Sequence, residues 1–340
     1  MSKHQPYRVA AGLAALTLFA GTEANALEYD FYGSFRFHAE SVSPDDDSQL
    51  DAYTGWRDAY SRLGFNATHT LSDSLTAYGK LELPLDLPNK AAKDPYDQEE
   101  DIRVAKLGIK GDFGDLSIGQ LWLPYYNAVV VPFDAFSSYY SGFTTYTSFR
   151  KSDTIAYYSP SFGGLSGALG YSLENGATDS NGESDDRLQA TLSYSFGDFT
   201  LAGGYDDLGG ANNSAILGAA LTWQATDAIY LAAKFEQHDS DIESGYGADG
   251  DTATNLLAAY TLGKNTFRAT VANVEGFGEN VVHLGWDHQY QDDLKFFVEY
   301  YSEEETAAIT AERGGAAETC WSCDGGQVIV AGLRYDFGAP

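Results

Sequence analysis

The chain is poor in most of what a soluble enzyme or a helical membrane protein draws on. Its 340 residues include two cysteines, one methionine and nine prolines, and 20 Lys and Arg stand against 49 Asp and Glu. A formal charge of −29 excludes a surface built to grip phosphates, which needs clustered Lys and Arg, so no nucleic-acid partner is expected. No window reaches the roughly 18 apolar residues that a membrane-crossing helix requires. The longest apolar run, residues 9–21, lies at the N-terminus. Helical membrane proteins, collagens and disordered tails are excluded with the nucleic-acid binders. What is abundant is glycine (36) and the aromatic pair Tyr (24) and Phe (19).

The N-terminal run reads as a secretory signal. Lys3, His4 and Arg8 form a basic region, residues 9–20 an apolar one, and Ala24-Asn25-Ala26 places small residues where a signal peptidase cuts. The expected division is residues 1–26 as signal peptide and 27–340 as one exported domain.

That domain alternates with period two almost throughout. In RLQATLSYSF (187–196), Leu188, Ala190, Leu192, Tyr194 and Phe196 share one face and polar residues the other. Successive strand side chains point to opposite sides, so each such segment has one apolar and one polar face. Sixteen segments are expected, near 28–41, 57–69, 75–83, 102–110, 115–121, 151–159, 164–174, 186–196, 199–206, 214–224, 228–238, 252–262, 265–275, 280–290, 294–303 and 327–337. Short turns alternate with long Gly-, Asp- and Ser-rich loops, which gives an antiparallel meander one trimmed rim and one shaggy rim.

A soluble β-sandwich also alternates, but three features favour a transmembrane barrel. Tyr194, Phe196, Trp223, Tyr260, Trp286, Tyr290, Tyr335 and Phe337 recur where strands meet the short turns, as a membrane-interface girdle would. An even strand number closes the sheet and removes edges whose unpaired groups are costly in hydrocarbon. Tilted strands of about ten residues also match a bilayer. The expected fold class is all-β, a 16-stranded antiparallel transmembrane β-barrel.

The segment AYSRLGFNATHTLSDSLTAYGKLEL (59–83) resembles the second and third strands of the general diffusion porins of Gram-negative outer membranes. FYGSFR (31–36) is similar to their opening strand, VAKLGIKGDFGDLSIG (104–119) to a strand–turn–strand unit, and GLRYDF (332–337) to their closing strand. The resemblance implies a homotrimer of sixteen-stranded barrels in the outer membrane, in contact with its lipids and lipopolysaccharide. Each barrel would be narrowed by its third long loop folded into the pore. It implies no cofactor and no metal; ions and small hydrophilic solutes are the permeants. Two departures stand out. Gly338-Ala339-Pro340 extends past Phe337, where the family usually ends, and Lys106 falls on the outward face by parity.

Parity puts Arg36 and His38 on the lumen face with Tyr32 and Ser34. Arg62 joins Asp58 and Tyr60, Lys80 and Glu82 join Tyr78, and Arg103 joins Ala105. The resemblance places Arg62 and Arg103 on the basic wall that faces the infolded loop. Opposite charges across a narrow wet eyelet set up a transverse field in which ions of each sign follow opposite walls. The candidate constriction is therefore Arg36, Arg62, Lys80, Glu82, Arg103 and Asp134. Asp134 is the only carboxylate in the expected loop, residues 122–150, so the eyelet reads as mildly basic. That loop carries ten aromatics: Trp122, Tyr125, Tyr126, Phe133, Phe136, Tyr139, Tyr140, Phe143, Tyr146 and Phe149. They can pin the loop to the wall, or offer sugars and aromatic solutes a surface to slide along.

The remaining long loops hold 26 acids against Lys90, Lys93 and Arg313, an outer field that gathers cations and is cut to about 8 Å by physiological salt. Cys320 and Cys323 enclose two residues in the last loop, a spacing that suits a local disulfide, a redox pair or half a zinc site. His283 and Asp287 share a face four residues apart as a candidate pair, yet no positioned nucleophile accompanies them and no enzyme motif occurs. The reading is a passive diffusion channel. A substrate-selective channel and an adhesin-like barrel are the alternatives.

Overall fold

A computed structural model describes residues 27–48, 50–88, 102–174, 186–210, 212–245, 247–276, 279–305, 309 and 324–338. The expected signal peptide, Cys320 and Cys323, and many of the loop acids lie outside the described residues.

Among the described residues the chain forms seventeen strand segments in one antiparallel sheet. They are β1 (Glu28–Pro44), β2 (Tyr53–Asp58), β3 (Ser61–Ser72), β4 (Leu75–Leu85), β5 (Val104–Gly111), β6 (Gly114–Trp122), β7 (Arg150–Tyr158), β8 (Leu165–Ser172) and β9 (Arg187–Phe196), followed by β10 (Phe199–Gly209), β11 (Ser214–Thr226), β12 (Ile229–Asp239), β13 (Thr252–Leu262), β14 (Asn265–Val274), β15 (Glu279–Gln291), β16 (Leu294–Glu305) and β17 (Asp324–Phe337). Both β2 and β3 pair with β1, the upper half through Phe37↔Asp58 and the lower through Ser34↔Arg62, so they are one stave interrupted at Ala59 and Tyr60. Seventeen segments therefore make sixteen staves. β1 closes the ring against β17 through Gly33↔Phe337 to Pro44↔Gly326. Closure leaves no sheet edge to satisfy in lipid.

The interruption has a local cause. Tyr60 takes φ +65°, and the Ser61 N–H turns onto the Asp58 carboxylate at 2.7 Å. An inserted irregularity of this kind shifts the period-two count by one.

Exposure alternates as the apolar pattern requires. Leu107, Leu192 and Leu217 stand out at 62–68% exposure, while Glu236, Asn255 and Thr270 on neighbouring positions of the sheet are fully enclosed. Greasy residues thus face out and polar ones face in, the reverse of a soluble barrel. Near the short turns the outward aromatics stack in sequence, Tyr194 on Phe196, Phe196 on Phe199 and Phe199 on Trp223. Gly197 (φ +57°) and Gly263 (φ +59°) open the tight turns after β9 and β13, a backbone region that glycine enters without a Cβ penalty.

The shaggy rim is less uniform than the alternation predicts. Only four residues separate β10 from β11, because β10 runs three residues beyond its expected end, and four separate β14 from β15, the same spacing as in the expected bounds.

What core there is lies inside the ring. A cluster of Tyr125, Tyr126, Val129, Val130 and Phe133 packs on Ile216, Ala220, Ala232 and Leu257 of the wall. A second joins Tyr139 and Tyr140 to Val42, Phe297, Tyr301 and Val328. Both are contacts between the segment 123–149 and inward side chains.

Candidate functional site

The segment between β6 and β7 runs out along the wall and back. It starts with a π-helical turn (Tyr126–Val130) and a 3₁₀ turn (Val131–Phe133). The Tyr125 N–H donates to the Gln189 side chain at 2.9 Å. Phe136 lies flat on His283, ring centroids 3.6 Å apart. The Ser137 and Ser138 N–H groups donate to the two oxygens of Glu299 at 2.8 and 3.2 Å, and His283 holds the same carboxylate at 3.0 Å. At the far end the Tyr139 N–H donates to His38, Tyr139 stacks on Tyr60, and the Arg57 guanidinium sits 3.2 Å from the Tyr139 ring centroid. Tyr140 donates to Glu40.

The return limb is held as firmly. Lys234 donates to the Thr144 carbonyl and pairs with Glu236 at 2.9 Å, both side chains fully enclosed. Glu236 in turn accepts from Thr145 and from the Tyr146 N–H. Thr147 and Arg187 converge on Asp206. Buried charges persist in such places only when paired and hydrogen-bonded, and each of these is. Seven of the ten loop aromatics are buried, namely Tyr125, Tyr126, Phe133, Phe136, Tyr139, Tyr140 and Tyr146.

A basic wall occupies β1, β3, β4, the loop end just before β5, and β17. Glu82 is its hub: it accepts from Tyr32 at 2.7 Å, lies 2.9 Å from the Arg103 Nε and 3.5 Å from the Arg62 Nε. Lys80 stands over the Tyr32 ring at 4.8 Å. The Arg36 Nε donates to Ser34, which donates to Asp336, and Asp336 also holds the Arg334 Nε at 2.5 Å. Asp134 is exposed on the loop, accepts from Tyr126, and lies within electrostatic reach of Arg36. Five cations (Arg36, Arg62, Lys80, Arg103, Arg334) therefore meet three carboxylates (Glu82, Asp134, Asp336).

The six expected residues fall in one region. Arg62, Glu82 and Arg103 touch, Arg36 lies within electrostatic reach of Arg62 and Asp134, and Lys80 stands beside them on Tyr32. Arg334 and Asp336 were legible as the polar face of the last strand but were not assigned. Three expectations are corrected. Lys106 faces inward, 5.4 Å from the Tyr78 ring and paired in register with Lys80, while its neighbour Leu107 faces out. Its parity was counted from Arg103, which precedes β5 and reaches the interior from the loop, its N–H on the Glu82 carbonyl. Asp58, expected on the lumen face with Arg62, turns its carboxylate to the Ser61 and Leu87 N–H groups, and Arg57 faces inward instead, because the break at Tyr60 reverses parity between β2 and β3. Finally, His283 and Asp287 do not pair: His283 binds Glu299, and Asp287 takes Arg268 at 2.6 Å and Lys295 at 2.9 Å.

Residues 12–308 match the family model described as Gram-negative porin. The major outer membrane protein P.IB of Neisseria meningitidis serogroup B is 26% identical over 96% of this chain and 99% of its own length. A monosaccharide porin of Halomonas sp. is 27% identical over 69% of this chain and 70% of that protein. Among solved structures, an anion-selective porin from Comamonas acidovorans superposes with a TM-score of 0.73, covering 92% of this chain and all of that one at 17% identity, a likeness of fold. With a closed sixteen-stave ring, an apolar outside and a charged, hydrogen-bonded inside, the chain belongs to the Gram-negative porin family and is a passive diffusion channel of the outer membrane.

Proposed function

We propose that solutes cross through the gap between the segment 123–149 and the basic wall, and that Arg36, Arg62, Lys80, Glu82, Arg103 and Asp134 form its narrowest part. One observation carries this reading: the carboxylate nearest the arginines, Glu82, is shared by Arg62 and Arg103, which leaves the eyelet an excess of positive charge. In a narrow aqueous passage, fixed charge of one sign raises the local concentration of the opposite ion. The eyelet then favours chloride over potassium, while the acidic outer loops act within about 8 Å at physiological salt and less at higher strength.

A planar-bilayer reversal potential under a tenfold KCl gradient tests this. The expected sign is anion preference, weakened in Arg62→Ala and weaker still with Arg103→Ala added. A strong cation preference that survives Arg62→Ala overturns it.

Sugars as dedicated permeants are favoured less, since most loop aromatics are turned into wall contacts rather than presented to a solute. Their discriminating sign is saturable block of ion current by a hexose. An adhesin-like closed barrel would not conduct. The channel is read as carrying out no catalysis and needing no cofactor. It is further read as a homotrimer, exported by cleavage after Ala26, with lipopolysaccharide against its outer face and a Cys320–Cys323 disulfide. Migration before and after boiling tests the trimer, N-terminal sequencing the cleavage, and alkylation with and without reductant the disulfide.

A further inference from the structure

From Arg36 of the eyelet down toward the short turns, the lumen wall carries a feature that the narrowing uses only at its upper end. Arg36 on β1 is directly opposite Arg334 on β17, and Arg334 is directly opposite Lys295 on β16. Directly opposed like charges on adjacent strands repel. Here two such pairs share Arg334, forming an unbroken row of three cations across three staves. Arg268 on β14 adds a fourth, within electrostatic reach of Lys295. Two carboxylates answer the four: Asp336 holds Arg334, and Asp287 holds both Arg268 and Lys295. Those side chains are not sealed; Arg334 is 25% exposed, Arg268 17% and Lys295 15%. The patch is a partly open surface with two positive charges in excess.

We infer that Arg36, Arg334, Lys295 and Arg268 form a resting site for a small phosphoryl dianion on the short-turn side of the narrowing. The charge excess equals that of one dianion, and guanidinium groups bind phosphoryl oxygens with charge-assisted hydrogen bonds stronger than neutral ones. Chloride, with a single charge and no fixed geometry, gains less from the same row. The inference rests on the reading of the interior as an anion-favouring conduit; it shares Arg36 with the narrowing, its other three residues are distinct, and it is tested separately.

The test is single-channel chloride current in symmetric 0.1 M KCl at pH 7.5, with monomethyl phosphate or dimethyl phosphate added. A phosphate monoester is mostly dianionic there, its second pKa being about 6, and the diester carries one charge. Monomethyl phosphate is expected to block saturably at millimolar concentration and dimethyl phosphate to leave the current unchanged. Arg334→Gln and Lys295→Gln should each raise the half-blocking concentration about tenfold, the effect of losing one charge-assisted contact. Lys110→Gln, which removes a lumen charge beside Tyr78 and away from the row, should not. Chloride conductance without phosphate reports that each variant is folded. Equal block by both esters, no block by either, or equal sensitivity of the Lys110 and Arg334 variants overturns the site. Arg62→Ala separates the two readings: it should reduce chloride preference in a gradient and leave block by the monoester in place.

Discussion

Phe136 lies on His283 with their ring planes 9° apart, and the imidazole beneath it is held by Glu299. One carboxylate thus fixes the wall histidine, two loop N–H groups and, through the stack, the loop aromatic. Glu299→Gln keeps the shape but removes the charge that strengthens all three bonds, each roughly twice as strong to an ionised partner as to a neutral one. The expected outcome is a noisier open channel with brief excursions to higher conductance, read in single-channel records; traces as quiet as those of the parent would contradict the anchoring role.

Glu82 offers the complementary experiment. Glu82→Gln removes the negative charge that Arg62 and Arg103 share. The reversal potential in a KCl gradient should move further toward chloride, and Arg103→Ala added to it should bring the value back. An unchanged potential would show that these arginines lie off the conduction path.

Lys234 and Glu236 are both fully enclosed. Glu236→Ala leaves a buried ammonium with its acid gone and strips the Thr145 and Tyr146 anchors, a change expected to cost about 3–5 kcal/mol. Replacing both by apolar residues of similar volume removes the unpaired charge and should cost less. Unfolding in denaturant, followed by the heat-shifted gel band, would settle the order. A single variant no weaker than the double would refute it.

Gly218 lies beneath the Tyr125 hydroxyl, and a Cβ there would collide with it. Gly218→Ala should destabilise the folded barrel by about 1–3 kcal/mol through overpacking. Tyr125→Phe in the same chain should recover part of that loss, because the hydroxyl makes the closest contact. Absence of any recovery in a double-mutant cycle would place the strain elsewhere.

The staves were readable because lipid outside and water inside impose the simplest pattern a strand can carry. Segments such as Arg187–Phe196 and Thr252–Leu262 match the expected bounds to within a residue. Parity failed where the pattern has a local break. Nothing in Asp58-Ala59-Tyr60-Ser61 announces a left-handed backbone at Tyr60, so Arg57 was missed. Lys106 was misassigned because Arg103 was counted as strand when it is the last residue of a loop. Among the wall arginines, Arg62 and Arg103 came from resemblance, whereas Arg334 and Asp336 had a signal in plain alternation. The loop anchors had one too: Glu236 and Glu299 stand on the polar faces of alternating strands, in line with Lys234 and Lys295. What they bind could not be read, since it depends on how a 27-residue segment (123–149) folds back across half the ring.

The out-and-back course of that segment has a mechanical consequence. Its hydrogen bonds reach β9 and β10 near its ends, β12, β13, β14 and β16 along its length, and β1 at its tip. A hoop lined along one side by a strip bonded to successive staves resists bending along that arc. Crowding by neighbouring barrels would therefore meet its stiffest resistance on the lined side of the bore.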